Sequence, residues 1–466
     1  MKKIISKTSL IIFLIFLLTF FLRVYKLPNF ISFHQDQVRD LFYISDFFKE
    51  KKIILLGPKA SVGDFYLPPF WYYLMSLSYF FSSSPLAPAI LTAFLSSLSV
   101  FFIFKLTKDL FNKQIGYLTS SIYSFSSLSI EYSRFAWNPN PVPLFSVMTF
   151  YFLYQYLKNK KLIYFILGTI TANLSLQLHY QGVIIFLFYF LIVLIYKKFN
   201  LKNFFIYLTS NFILILPFII FEFLNNYPNL KGIINFIFSS SQNQLRLFGI
   251  PFYLKFIVFD FSQFIANTLF FKNHIFGYLG LLIFFYNLIN FLIIKKNKIN
   301  LIEKLLNYFF IFSLLVFFIY RNSLINFYLL FLIPFMIIYF VISLKNVFPN
   351  FFSQLLIIIF LLNVIFIPVY KKYDNTYLSL IEITNTLSKY KNYCIQYDIF
   401  KETFIEDKLR YMFFISKNPP KPTCQDTKNI FYICEPAKCQ SKKYLKYKKI
   451  VYKTSYYIRT FQIINQ

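Results

Sequence analysis

The chain has 466 residues, of which 58% are hydrophobic, 23% aromatic and 14% charged. A soluble domain carries roughly a quarter charged residues, so a soluble globular enzyme is excluded, and so is a disordered chain, whose composition is the opposite. The formal net charge of +30 would suit nucleic acid, unless the basic residues hold topological positions, which they do.

A spanning helix needs about 20 apolar residues. The first apolar run, Ser9 to Val24, follows Lys2, Lys3 and Lys7, and Arg23 and Lys26 stand at its end in place of a small-residue cleavage site, so it reads as an uncleaved anchor. Further runs lie near 88–107, 115–130, 142–157, 162–178, 183–196, 203–223, 276–294, 305–320, 324–343 and 351–370. With the first, these make about eleven spans. Two more apolar stretches, 68–82 and 252–271, either span or lie at the surface, and the Pro68-Pro69 pair makes 68–82 a short helix dipping into the bilayer.

Cytoplasmic loops are enriched in Lys and Arg. With the N-terminus inside, the lysine clusters at 2–7, 105–113, 158–161, 197–202 and 295–304 share one side, and the other holds only scattered Arg134, Lys231, Arg246, Lys255, Lys272 and Arg321. Much of the net charge is therefore topological, and no nucleic-acid partner is expected. The same topology places a first loop, 26–87, and a tail, 371–466, outside. All four cysteines, Cys394, Cys424, Cys434 and Cys439, lie in that tail; an even set in an external segment reads as disulfides, with the pairing open. Paired zinc-knuckle spacings and tail histidines are lacking. Helix-like runs at 377–389 and 402–416 alternate with strand-like runs at 393–397, 430–434 and 450–457. The expectation is an α-helical polytopic membrane protein with a small C-terminal extracytoplasmic α/β domain, divided into a transmembrane catalytic domain, 1–370, and the tail domain, 371–466.

Ionisable groups at membrane depth mark functional sites by default, and here they gather at the external ends of the spans. In Phe33-His34-Gln35-Asp36-Gln37-Val38-Arg39-Asp40, a helix puts Asp36, Arg39 and Asp40 on one face, with Leu41, Phe42, Ile44, Phe47 and Phe48 as an apolar side lying on the bilayer. A carboxylate there can take a proton from an acceptor hydroxyl; the plainer reading is that both acids pair with Arg39. Leu56-Gly57-Pro58 precedes Gly63-Asp64-Phe65-Tyr66-Leu67-Pro68-Pro69-Phe70-Trp71-Tyr72-Tyr73, whose aromatics suit an interfacial belt. Glu131-Tyr132-Ser133-Arg134-Phe135-Ala136-Trp137-Asn138-Pro139-Asn140-Pro141 and Gln177-Leu178-His179-Tyr180-Gln181 end two further spans. Arg246, Arg321 and Tyr328 complete the set, and arginine can hold phosphate in bidentate fashion. Each residue alone is an ordinary interfacial anchor. Together they suit a substrate with an apolar tail and an anionic head.

The acidic first loop, the Gly-Pro segment, the Pro-Pro-led aromatic helix and Tyr-Ser-Arg-Phe-Ala-Trp-Asn resemble the GT-C integral-membrane glycosyltransferases of the family-39 type, which include protein O-mannosyltransferases and aminoarabinose transferases. The resemblance covers about residues 1–200 by motif and the later spans by layout. It implies a polyprenyl-phosphate-linked sugar donor, a protein, lipid or glycan acceptor, surrounding membrane lipids and reaction outside the membrane. Asp36 is then the catalytic base, and Arg246, Arg321 and Tyr328 hold the donor phosphate. Arg39, Asp40, Arg134, Asn138, Gln177, His179 and Tyr180 are further site candidates. Where relatives read Asp-Glu this chain reads Asp36-Gln37, and where many carry an acid after the Arg134 motif it has Asn138, so no cofactor is assigned and a divalent cation is left open. The alternatives are a polysaccharide polymerase or ligase, and a lipid-linked sugar flippase or transporter, which would carry charges or paired broken helices near mid-membrane. Glu222 and Asp260 are isolated, and Pro217 and Pro334 are single breaks.

Overall fold

The structure is a computed structural model that describes residues 6–31, 33–60, 63–196, 200–244, 255–293, 299–320, 326–367, 376–398, 405–425, 427, 429–434, 448–454 and 459–465. Its helices follow the apolar runs. They are α1 (Lys7–Val24), α2 (Gln35–Glu50), α3 (Phe70–Tyr79), α4 (Leu86–Leu110), α5 (Lys113–Phe125), α6 (Ser127–Tyr132), α7 (Val142–Asn159), α8 (Leu162–Leu178), α9 (Gly182–Ile195), α10 (Leu201–Leu224) and α11 (Pro228–Gln244). A π-helical turn, Lys255–Phe261, leads into α12 (Ser262–Leu269), then α13 (His274–Ile293) and α14 (Leu301–Tyr320). A 3-10 segment, Asn326–Leu332, leads into α15 (Ile333–Val347) and α16 (Phe352–Ile365).

Among the described residues, six helices reach the length and apolarity of a span on their own: Lys7–Val24, Leu86–Leu110, Leu201–Leu224, His274–Ile293, Leu301–Phe318 and Phe327–Val347. Leu162–Leu178, Gly182–Ile195 and Phe352–Ile365 are apolar but shorter. The run 115–130 is divided at Ser126 between α5 and α6. The stretch 68–82 holds only the ten residues of α3, about 15 Å at 1.5 Å per residue, half the bilayer core. The stretch 252–271 is likewise divided, between the π-helical turn and α12. Proline marks helix starts, where its missing N–H is not needed: Pro143 opens α7 and Pro334 opens α15, so Pro334 starts a helix instead of breaking one. The side chains of Ser6, Asn112 and Asn200 cap α1, α5 and α10.

α1 packs on α4 and α5, α7 on α4, α8 and α9, and α8 on α10. Polar groups inside the bundle are satisfied by neighbours. Arg23 ends α1 fully buried, donating to Thr19 O (3.0 Å), Ser96 Oγ (3.1 Å) and Ser129 Oγ (2.7 Å). Gln177 donates to Asn173 and Asn173 to Asn211, tying α8 to α10. Glu222 is no isolated charge: it accepts the backbone N–H groups of Asn229 and Leu230 at the start of α11, where the helix dipole favours an anion.

The tail forms α17 (Thr376–Leu387), β1 (Tyr393–Asp398), α18 (Ile405–Phe414), β2 (Asn429–Cys434), β3 (Lys448–Thr454) and β4 (Arg459–Asn465). The sheet order is β1-β2-β4-β3, with β1 and β2 parallel and the other pairs antiparallel. The β1–α18–β2 crossover is what a parallel pair requires; β4 was not anticipated. Cys394 and Cys424 form a disulfide, joining β1 to the segment after α18; Cys439 lies outside the described residues. The tail sits on the α2 side of the bundle. Tyr411 Oη donates to Ser83 O (2.6 Å), and the rings of Phe42 and Tyr411 meet edge to face at 5.1 Å.

Candidate functional site

α2 starts where the Gln37 carboxamide accepts the His34 backbone N–H at 3.2 Å, and it ends at Lys51 in the left-handed region (φ 54°). The helix does place Asp36, Arg39 and Asp40 together, but their surroundings separate them. Asp40 is 1% exposed and accepts from Arg39 Nε (2.9 Å) and Nη2 (2.7 Å), Trp71 Nε1 (2.8 Å) and Tyr72 Oη (3.2 Å). Burial pushes its carboxyl up, against the pull of Arg39 and Trp71. Asp36 is 44% exposed. Arg39 Nη1 donates to its Oδ1 at 2.9 Å and Trp137 Nε1 to its Oδ2 at 3.2 Å. The apolar side of α2 does not lie on the bilayer as expected: Leu41 and Ile44 are buried, Phe47 and Phe48 meet Tyr73 and Tyr79 of α3, and Phe42 meets Tyr411 and Phe414 of α18.

The turn after α6 is fixed at several points. Arg134 Nη2 donates to Leu22 O (2.8 Å) at the end of α1, and its guanidinium lies over the Phe30 ring. Asn138 Nδ2 donates to Leu178 O (2.7 Å) at the end of α8. Asn140 Nδ2 closes the turn on Phe135 O (2.8 Å), and Glu131 pairs with Lys272 at 2.6 Å. These ties aim the Trp137 indole at Asp36. They also give Asn138 a donor role that an acid in its place could not fill.

Residues 57–60 fold back against residues 63–67. Gly57 N–H donates to Leu67 O (2.7 Å), Leu67 N–H to Pro58 O (3.0 Å) and Ala60 N–H to Phe65 O (2.9 Å). A Cβ on Gly57 would stand 2.2 Å from Pro68 O, so only glycine lets the strands close. Asn229, held by Glu222, accepts the Tyr66 N–H at 2.6 Å, which docks this hairpin on α11.

Two cavities meet at Asp36, Trp137 and Phe327. The first, about 420 Å³, is lined also by Phe30, His34, Gln37, Ile130, Glu131, Tyr132, Arg134 and Phe135. The second, about 390 Å³, is lined also by Arg39, Lys59, Phe65, Leu67, Asn138, Leu176, His179, Tyr180, Val183, Ile233, Phe236 and Tyr328. Thus Asp36 is shared, Arg134 faces the first cavity, and Arg39, Asn138, His179, Tyr180 and Tyr328 face the second. Asp40 sits behind Asp36 in the protein interior, and Gln177 is turned into the α8–α10 contact, lining neither cavity. Arg246 and Arg321 lie outside the described residues.

Sequence reasoning missed Lys59, which reaches the second cavity because the hairpin carries it there and which pairs with Asp64 at 2.6 Å. It also missed Phe327, brought in by the 3-10 segment. Among the described residues no group of three or more His, Cys, Asp and Glu converges. Asp36 and Glu131 are each ion-paired to a cation, and the Asn138 amide is engaged with Leu178. This donor set does not fit a divalent metal.

A family model described as dolichyl-phosphate-mannose-protein mannosyltransferase matches residues 67–221, from the end of the hairpin through α10. No curated protein matches the chain in sequence. Among solved structures, ArnT from Cupriavidus metallidurans bound to undecaprenyl phosphate superposes with a TM-score of 0.59 at 11% identity, covering 99% of this chain and 98% of that one. The apo state of the same protein gives 0.57 at 12% identity, covering 97% of each chain. This is likeness of fold over the full length. The chain is a multi-pass membrane protein with the fold of the GT-C glycosyltransferases, as its motifs led one to expect.

Proposed function

We propose that the protein is a membrane glycosyltransferase that moves a sugar from a polyprenyl-phosphate-linked donor to an extracytoplasmic acceptor hydroxyl. The observation that carries this reading is the meeting of two cavities at one half-exposed carboxylate. The second cavity combines apolar walls with Arg39 and Lys59, which suits a lipid carrying one anionic phosphodiester. The first, lined largely by aromatic rings with Glu131 and Arg134, takes the acceptor.

Asp36 has one donor on each oxygen and keeps a lone pair on each for an acceptor O–H. The acceptor oxygen gives its proton to Asp36 and attacks the anomeric carbon. The bond from that carbon to the phosphate oxygen breaks, and the polyprenyl phosphate leaves with the electron pair. A single displacement inverts the anomeric centre. Arg39 and Lys59 stabilise the charge growing on the phosphate, and Arg246 and Arg321 are further candidates for that role. Holding donor and acceptor in line supplies the rest.

The extracytoplasmic placement rests on the one-sided lysine clusters and on the Cys394–Cys424 disulfide, which belongs to an oxidising compartment. The tail touches α2, so it lies on the same side as Asp36. The division into a catalytic membrane domain, 1–370, and a tail domain, 371–466, follows from the same reading. Purified protein in detergent, given a radiolabelled polyprenyl-phosphate sugar and a mixture of envelope acceptors, is expected to release the lipid phosphate and label an acceptor. Movement of the intact donor across vesicles without release would instead establish a flippase.

A further inference from the structure

α2 begins one residue after its polar cap, and the position before such a cap is where an apolar side chain fixes the angle at which the chain enters a helix. Phe33 holds this position and is 4% exposed. Its aromatic partners come from the tail: its ring stands 6.0 Å from Tyr377 of α17 and 6.4 Å from Tyr411 of α18. Both tyrosines are buried, and both reach the segment between α3 and α4. Tyr411 Oη donates to Ser83 O (2.6 Å), and the Tyr377 and Ser84 hydroxyls lie 3.4 Å apart. α17 also packs on the turn Leu27–Asn29 that precedes α2. α18 continues along α2, with Phe414 5.6 Å from Phe42 and the Lys49 ammonium 4.0 Å over the Phe414 ring.

Asp36 lies in the first turn of α2, where backbone N–H groups have no acceptor within the helix. The position of that turn is therefore set by what surrounds it. Asp40, one turn on, is held by Trp71 and Tyr72 of α3. Asp36 is held by Arg39 and by Trp137 from the turn after α6. Phe33, Tyr377 and Tyr411 line neither cavity, so they touch neither donor nor acceptor there. A side chain that only aims a reacting group is felt in the rate, because a misplacement of about 1 Å can cost about 100-fold. It is not felt in the affinity for a substrate it does not touch.

We infer that Phe33 is a positioning residue for the Asp36 carboxylate, held by Tyr377 and Tyr411 so that docking of the tail sets the first turn of α2. The role of Asp36 rests on the proposed function; this contact adds the reason that the tail is needed for turnover.

The test uses the full-length protein in detergent and two readouts. In steady-state transfer from a polyprenyl-phosphate sugar, Phe33→Ala should lower kcat about 10- to 100-fold with donor KM within about twofold of wild type. Tyr377→Ala changes the tail side of the same contact and should also lower kcat, and the double variant should lose no more than Phe33→Ala alone. Phe33→Leu, which refills most of the space, should recover most of the rate. In isotope-labelled protein the two tryptophans give separate indole N–H resonances. Phe33→Ala should shift that of Trp137, bonded to Asp36, and leave that of Trp71, bonded to Asp40, in place. Unchanged turnover in Phe33→Ala, losses that multiply in the double variant, or equal shifts of both resonances would each overturn the inference. A wild type that releases no lipid phosphate would refute the transfer reading beneath it, and the Trp137 resonance would then decide whether Phe33 sets the position of Asp36.

Discussion

Replacing Asp40 with Asn separates two carboxylates that lie one helical turn apart. Asp40 accepts from Arg39, Trp71 and Tyr72 while 1% exposed. Asn keeps one acceptor oxygen but sets an amide N–H2 against the donors on the other side. Breaking a buried ion pair costs about 3–5 kcal/mol. Arg39, however, is 40% exposed and retains Asp36 as a second partner, so solvent and the remaining pair reduce the loss to about 2–3 kcal/mol. Intrinsic fluorescence suits the assay, because the chain has two tryptophans and each donates to one of the two acids, Trp71 to Asp40 and Trp137 to Asp36. Asp40→Asn should lower the unfolding midpoint and alter the Trp71 signal. At temperatures where the variant is folded, turnover should stay within about tenfold of wild type, a loss smaller than a missing general base causes. An unchanged midpoint with abolished turnover would show that Asp40 belongs to the chemistry and not to the support of α2.

Three further substitutions probe the supports of the site. Trp137→Phe removes the N–H that reaches Asp36 at 3.2 Å; kcat should fall about tenfold with donor KM unchanged, the low end for a hydrogen bond to a charged group, and a rise in donor KM alone would contradict this. Gly57→Ala puts a methyl 2.2 Å from the Pro68 carbonyl, so the hairpin should open, weakening donor binding more than it lowers kcat, as read by steady-state kinetics. Cys394→Ser removes a cross-link spanning 30 residues and should destabilise the tail by about 3–4 kcal/mol, seen as faster tryptic cleavage within 376–434; equal protection would mean that the disulfide contributes little.

Much of the bundle was legible because apolar runs of membrane length admit few conformations, and each of the runs read from the sequence coincides with one or two helices. The grouping of Asp36, Arg39 and Asp40 was legible too, since it depends only on helical spacing. What separates the two acids was not: Trp71 lies 31 residues from Asp40, and Trp137 lies 101 residues from Asp36. Lys59 escaped notice because backbone hydrogen bonds within 57–67, not a side-chain pattern, carry it to the cavity. The apolar side of α2 read as membrane-facing because sequence cannot distinguish burial against lipid from burial against α3 and α18. Gln177 looked like a site residue by its neighbourhood to His179, yet it lies two residues earlier, inside α8, where its amide turns to Asn173 and to Leu214 O of α10.

The central claim is that Asp36 takes the proton of the acceptor hydroxyl, and single-turnover transfer from a radiolabelled polyprenyl-phosphate sugar tests it most directly. Asp36→Asn is expected to insert and unfold like wild type and to bind the donor lipid, while the rate of lipid-phosphate release falls about 10²–10⁴-fold. Release at near wild-type rate by folded Asp36→Asn protein would contradict the account.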